Sequence, residues 1–289
     1  MSKTPPGEKG SGGERRSLRD FFKYLILTKI KTVFLGKDWQ SKLKLFYLCY
    51  LWPFQKRLGL GHKFFAILNL KKFGKTFSLT LKNRYDLMVL QEVFVDNQYQ
   101  IEISQVPQVI LDLGSHIGLS ILYFKLLYPQ VKIYAFEPHP DNVKRIKEIT
   151  ESFKEDISIF PVAISDKDGL TRLYLRDSPA SYSIYKKTTD GHYIEVPTKT
   201  LTTIVEELSL TNIDILKFDI EGAEFQAFSN FPFDKVKIII GEVHPDLRPQ
   251  NSAIPSTQAL IDIFRKLGFN ITLKQLAGGR SILQGKRQP

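Results

Sequence analysis

The chain has 289 residues, 43% apolar and 25% charged, a globular composition long enough to bury a full core. Its single cysteine, Cys49, excludes an internal disulfide and a cysteine-rich metal site, and its first residues lack the basic, apolar, small-residue order of a signal peptide, so a reducing, cytoplasmic setting is expected. The net charge of +11 belongs to the front: residues 1–75 hold 17 lysines and arginines against four acids, and the remainder, at −2, is a poor surface for a phosphate backbone, so no nucleic-acid partner is expected.

Residues 1–18, rich in Gly, Ser, Pro and charge without an apolar period, read as a disordered tail. Residues 19–75 read as a basic helical extension, with Leu25, Ile26, Ile30, Phe34, then Leu43, Phe46, Tyr50 and Trp52 at helical spacing, broken near Gly36 and Pro53. Its longest apolar run, Leu45 to Phe54, falls short of the roughly 20 residues that span a bilayer. Two readings fit it: a helical cap packed on the main domain, or an amphipathic surface in peripheral contact with an anionic membrane through residues 19–60.

Residues 76–289 read as one domain. Phe77 to Leu81 alternates as a strand, and Asp86 to Val95 has the spacing of a short helix. After Pro107 the spacing predicts strand 109–113, helix 118–127, strand 131–136, helix 140–150, strand 157–164 and a loop from Ser165. Strand 213–218, helix 222–229, strand 236–243 and helix 256–267 follow, with a last strand within 269–274 or 281–284. Such alternation means an α/β fold with a Rossmann-like, doubly wound, mostly parallel sheet. The looser stretch from Asp166 to Thr203 is an insertion, expected over the acceptor site because loops at the carboxyl ends of strands form the crevice.

Two apolar runs each stop at an acid: Val109 to Leu113 leads into Gly114-Ser115-His116-Ile117-Gly118, and Ile133 to Phe136 ends on Glu137. Glycines at such a turn let the backbone approach a ligand, and an acid 19 residues past Gly118 suits ribose hydroxyls. His116 fills the position where a dinucleotide fingerprint needs its middle glycine, and Asp112 stands two residues before Gly114. A pyrophosphate would meet an anion there, whereas the sulfonium and ammonium of S-adenosylmethionine are suited by one. A nicotinamide oxidoreductase is thereby disfavoured.

The acids and bases of a candidate catalytic centre lie farther on. Asp219 closes the strand 213–218 at the level of Asp112, with Glu221 two residues on, and Glu242 and His244 end the strand 236–243 on one side. A hydroxyl acceptor must lose a proton, so a base among these four is required. Glu221 and Glu224 also fall at a helix start, where acids offset the helix dipole. The set is of a type that takes Mg or Mn, but at no diagnostic spacing, so no metal is expected.

These residues resemble, in order, those of FkbM-type methyltransferases: Asp112-x-Gly114-x-x-x-Gly118, Phe136-Glu137-Pro138, Ala163-Ile-Ser165-Asp166-x-x-Gly169, Thr200-Leu201, and Leu216-Lys217-x-Asp219-x-Glu221-Gly222-Ala223-Glu224. The resemblance covers roughly residues 80–245. It implies a class I S-adenosylmethionine-dependent fold and methylation of a hydroxyl on a small molecule or glycan. It places Asp112, Gly114 and Gly118 along the methionine end of the cofactor, Glu137 on the ribose and Ala163 near adenine; the strand-end position of Asp219, level with Asp112, separately puts it beside cofactor or acceptor. Ser115-His116 stand where the family more often has Ala-Asn, at positions that contact methionine or acceptor, and Thr202-Thr203 stand where an acid is frequent. The alternative is a protein that binds S-adenosylmethionine, a membrane or a partner without turnover.

Overall fold

The computed structural model describes residues 18–60, 64–175, 182–185, 191–275 and 281–287. The expected tail, apart from Leu18, and Ser178 to Ser181 of the insertion lie outside them. In chain order the helices are α1 (Leu18–Phe34), α2 (Trp39–Phe46), α3 (Trp52–Arg57), α4 (Arg84–Leu90), α5 (Leu119–Leu127), α6 (Pro140–Thr150), α7 (Leu201–Glu207), α8 (Glu224–Ala227) and α9 (Thr257–Lys266). The strands are β1 (Ala66–Lys72), β2 (Lys75–Leu81), β3 (Val109–Leu113), β4 (Lys132–Phe136), β5 (Ile157–Phe160), β6 (Ala163–Ile164), β7 (Gly169–Tyr174), β8 (Tyr193–Lys199), β9 (Ile213–Phe218), β10 (Val236–Val243), β11 (Phe269–Gln275) and β12 (Ser281–Arg287).

Seven strands form the central sheet in the order β11-β12-β10-β9-β3-β4-β5. All neighbours from β5 to β10 pair parallel, while β12 runs antiparallel between β10 and β11. This is the doubly wound class I arrangement. Its strands are buried on both faces: Ile110, Ile133, Ile215 and Ile240 join one core with α5, and Leu111, Phe136, Leu216 and Ile239 join the other with α7 and α9.

Several expectations are corrected. The strand expected over 157–164 divides at Pro161, which has no N–H for a ladder; β5 stays in the main sheet, and β6 pairs with β8 in a separate sheet of order β6-β8-β7. The helix expected over 222–229 is the single turn of α8. Both candidates for the last strand form, as β11 and β12, because the antiparallel hairpin needs each as the other's partner.

At the front, the break near Gly36 is real, but Pro53 does not interrupt the helix. A π-helical stretch, Tyr47–Leu51, joins α2 to α3, and its wider turn admits the proline at the start of α3. The strand expected at 77–81 is longer and has a partner: β1 and β2 form an antiparallel hairpin that crosses residue 75. Leu45, Leu48 and Cys49 are buried in the same core as this hairpin and α5, so part of the helical extension does pack as a cap. No helix among the described residues is long and apolar enough to cross a membrane.

Candidate active site

Register assembles the site. In the parallel ladder Asp112 lies beside Ala135 and Lys217, Leu113 beside Phe136 and Phe218, and Phe218 beside Gly241. One step beyond, the carboxyl ends of β3, β4, β9 and β10 deliver Gly114, Glu137, Asp219 and Glu242 to a common edge. Only glycine is tolerated at the first: Gly114 has φ +75°, and a Cβ there would collide with the Asp219 carbonyl oxygen. At this edge a cleft of about 220 Å³ is lined by Gly114, Ser115, His116, Phe136, Glu137, Asn142, Val162, Ala163, Asp219, Glu221 and Glu242. Tyr85, Met88, Tyr99, Lys217, Leu173, Tyr182 and Ile184 are among the other residues of its wall.

The Glu137 carboxylate is buried and oriented by three donors: the His116 and His139 backbone N–H groups, each 2.9 Å away, and the Asn142 amide at 3.1 Å. Burial raises its pKa to about 7, against the lowering effect of those bonds. Additional donors from ribose hydroxyls would favour its ionised form. His116 holds a left-handed backbone, φ +48°, and its buried Nε2 has no hydrogen-bond partner among the described residues. Burial lowers its pKa to about 4, so the ring is neutral. A hydroxyl or ammonium of a bound ligand would satisfy that nitrogen. The lining has the groups that S-adenosylmethionine needs: Glu137 and Asn142 could take ribose hydroxyls, Phe136 and Val162 to Ile164 offer apolar surface for an adenine, and Gly114 to His116 could face the methionine end.

Two expected cofactor contacts do not line the cleft. Asp112 is fully buried: Lys217 Nζ lies 2.8 Å from its Oδ1, and Ser120 Oγ donates to Oδ2 at 2.5 Å. Its charge is matched inside the protein, and it acts on the cofactor loop through Lys217, whose ammonium also donates to the Gly114 carbonyl at 2.7 Å. Gly118 likewise stands back from the cleft; it serves as the left-handed N-cap of α5, pressed against Ile146. Lys217 was missed as a site residue, although a lysine inside Ile213 to Phe218 already signals a buried partner.

Asp219, Glu221 and Glu242 face the cleft together, and His244 sits behind them. The His244 ring is buried among four carboxylates: Glu224 Oε1 lies 3.5 Å from Nδ1, and Glu242 Oε1, Asp219 Oδ1 and Glu221 Oε1 lie 3.5, 3.7 and 3.9 Å from Nε2. Burial alone would lower its pKa, but the carboxylates, Glu224 first, raise it to about 10. The carboxylates thus favour the imidazolium form of His244, which is the form that cannot accept a proton. The pKa of Glu221 is also raised, here by burial, to about 8, with His244 pulling down and Asp219 pushing up. Its backbone is strained into φ +50° between Ile220 and Gly222.

Neighbours that the sequence did not single out hold this wall. Tyr99 donates its hydroxyl to Asp219 Oδ2 at 3.3 Å, and Gln98 donates to Glu242 Oε2 at 3.3 Å. Buried Glu224 accepts the N–H groups of Gly222 and His244, so it fixes the turn between β9 and α8 against the end of β10. Asp219, Glu221 and His244 can each turn one ligand atom to within 4.8 Å of the others, a geometry able to hold a cation. A protonated His244 already supplies positive charge there. From the described part of the insertion, Leu173, Tyr182 and Ile184 line the cleft, the Ser183 hydroxyl donates to the Glu221 carbonyl at 2.8 Å, and Tyr182 lies against the His139 ring.

The fold and cleft define a class I methyltransferase. A family model described as the methyltransferase FkbM domain matches residues 112–271, more than half of the chain, and the chain belongs to this family of S-adenosylmethionine-dependent methyltransferases. Relatives include Methyltransferase 1 of Beauveria bassiana, 28% identical over 46% of this chain and 62% of that protein. The 31-O-demethyl-FK506 methyltransferase FkbM of Streptomyces tacrolimicus is 21% identical over 64% of this chain and 82% of that protein. The AMB antimetabolite synthetase AmbE of Pseudomonas aeruginosa is 24% identical over 65% of this chain, which spans only 11% of that protein's length.

Proposed function

We propose that the enzyme methylates a hydroxyl of a small molecule or glycan, with Glu221 as the proton acceptor. The observation that carries this reading is the wall of three carboxylates, Asp219, Glu221 and Glu242, facing the cleft beside the cofactor-binding residues. A thiolate acceptor needs no base and would be repelled by carboxylates, whereas a neutral hydroxyl becomes a strong nucleophile only as its proton leaves. The name of the S. tacrolimicus relative, which places its methyl on an oxygen, supports the same acceptor chemistry.

S-adenosylmethionine supplies a methyl group already activated by its sulfonium. The protein supplies position and proton transfer. Glu137 and Asn142 hold the ribose, Leu173, Tyr182 and Ile184 pack around Ala163 on the adenine side, and the insertion, tied to Glu221 through Ser183, confines the acceptor. Glu221 takes the hydroxyl proton, and the His244 imidazolium stabilises the ring of carboxylates as the proton moves. Asp219, steadied by Tyr99, and Glu242, steadied by Gln98, orient the hydroxyl.

The test uses S-adenosylmethionine labelled in its methyl group and a panel of hydroxylated glycans and polyketides. Alkali-stable label in the acceptor, absent for Glu221→Gln while that variant binds S-adenosylhomocysteine as the parent does, is the expected result. Label released by mild alkali would mean methyl esters and a carboxylate acceptor. Unimpaired transfer by Glu221→Gln would remove Glu221 as the base.

A further inference from the structure

Of the 21 large apolar side chains exposed among the described residues, sixteen fall between Tyr24 and Phe73. On α1 they include Leu25, Ile26, Ile30 and Phe34; Trp39, Leu43 and Phe46 on α2, and Phe54 and Leu58 at α3, follow at spacings of three or four residues on either side of the π-helical stretch. The two stripes meet, because the Lys42 ammonium sits 5.8 Å from the Phe34 ring and that of Lys29 5.2 Å from the Tyr50 ring. A third pair, Lys56 over Trp52 at 5.4 Å, continues the pattern.

From Lys23 to Leu60 the chain has eight lysines and arginines and one acid, Asp38, whose carboxylate is engaged by the Ser41 N–H as a helix cap. Cations set directly against exposed rings and aliphatic groups answer to a partner with two layers, anionic outside and apolar beneath. A wholly apolar protein groove would leave the lysines unmatched, and a nucleic-acid backbone would leave the leucines and isoleucines in water. We propose that this face docks on the surface of an anionic bilayer, the helices lying in the plane of the headgroups with Trp39 and Phe54 inserted and the lysines reaching the phosphates.

Trp39 and Trp52 are the only tryptophans. The full chain carrying Trp52→Phe therefore reports on Trp39, 67% exposed, through its fluorescence. Vesicles of phosphatidylcholine containing phosphatidylglycerol should shift its emission to the blue and co-sediment with the protein. Partitioning should be at least ~10-fold weaker on phosphatidylcholine alone or in high salt. Lys29→Glu with Lys42→Glu should lose binding by a similar factor, and Leu43→Ser with Phe54→Ser should lose the blue shift, both with unchanged affinity for S-adenosylhomocysteine as the control for folding. Absence of partitioning at low salt would overturn the proposal. So would a concentration-dependent dimer that shields Trp39 without lipid, since the face would then belong to a second copy.

Discussion

Lys217 shows what one residue decides in this site. Its ammonium, 2% exposed, neutralises Asp112 and bonds the carbonyl of Gly114, so the acid that looks like a cofactor ligand instead holds the cofactor loop closed from within. Removing one partner of a buried pair leaves a charge without compensation, at a cost of about 3–5 kcal/mol. Lys217→Met should therefore lower the free energy of unfolding by that amount in urea titration, and adding Asp112→Asn should recover part of it. Glu221 governs rate rather than stability. Only its ionised form accepts a proton, so kcat should rise with pH and level off above about 8, where Glu221 has ionised. His244 stays charged until about 10 and adds no limb below that. Glu221→Gln should abolish the limb and slow transfer about 10²–10⁴-fold, read from a pH profile at saturating substrate.

At the scale of elements, the insertion is tied to the catalytic turn by the Ser183 hydroxyl on the Glu221 carbonyl. A neutral hydrogen bond of this kind contributes about 1 kcal/mol. Ser183→Ala should raise the acceptor's KM about fivefold while kcat changes little, because the insertion confines the acceptor and does not take its proton; equal loss in both parameters would place Ser183 in the chemistry. The strands, helices and first motif were legible because each rests on local rules: period two or 3.6, glycine at left-handed turns, an acid after an apolar run. Pro161 was available to read as the end of β5, yet where the chain goes next depended on β8, more than thirty residues on. The π-helical join before Pro53 was illegible for a different reason, since its wider turn is stabilised by burial of Leu48 and Cys49 rather than by a sequence signal.

For the whole molecule, the basic front segment and the wound sheet share one core. Leu45 has no exposed surface and packs in the cluster that includes Leu68, Phe94 and Tyr123. Deleting its side chain to alanine should cost about 2–5 kcal/mol. We expect a single transition, with the loss of helix by circular dichroism and the loss of S-adenosylhomocysteine binding moving down in temperature together. A shift in only one signal would show the front segment melting as a separate unit.

The sequence by itself determined the order of elements, the turn at Gly114, the acid at Glu137 and the membership of Asp219, Glu221 and Glu242 in one crevice, because these follow from periodicity and strand level along the chain. Only the tertiary structure decided which groups carry charge and which way they act. Asp112 meets Lys217, and His244 meets Glu224, Glu221, Asp219 and Glu242, through contacts between strands far apart in sequence. Coulomb interaction and desolvation depend on distance and burial, and neither is written in the spacing of residues along a chain.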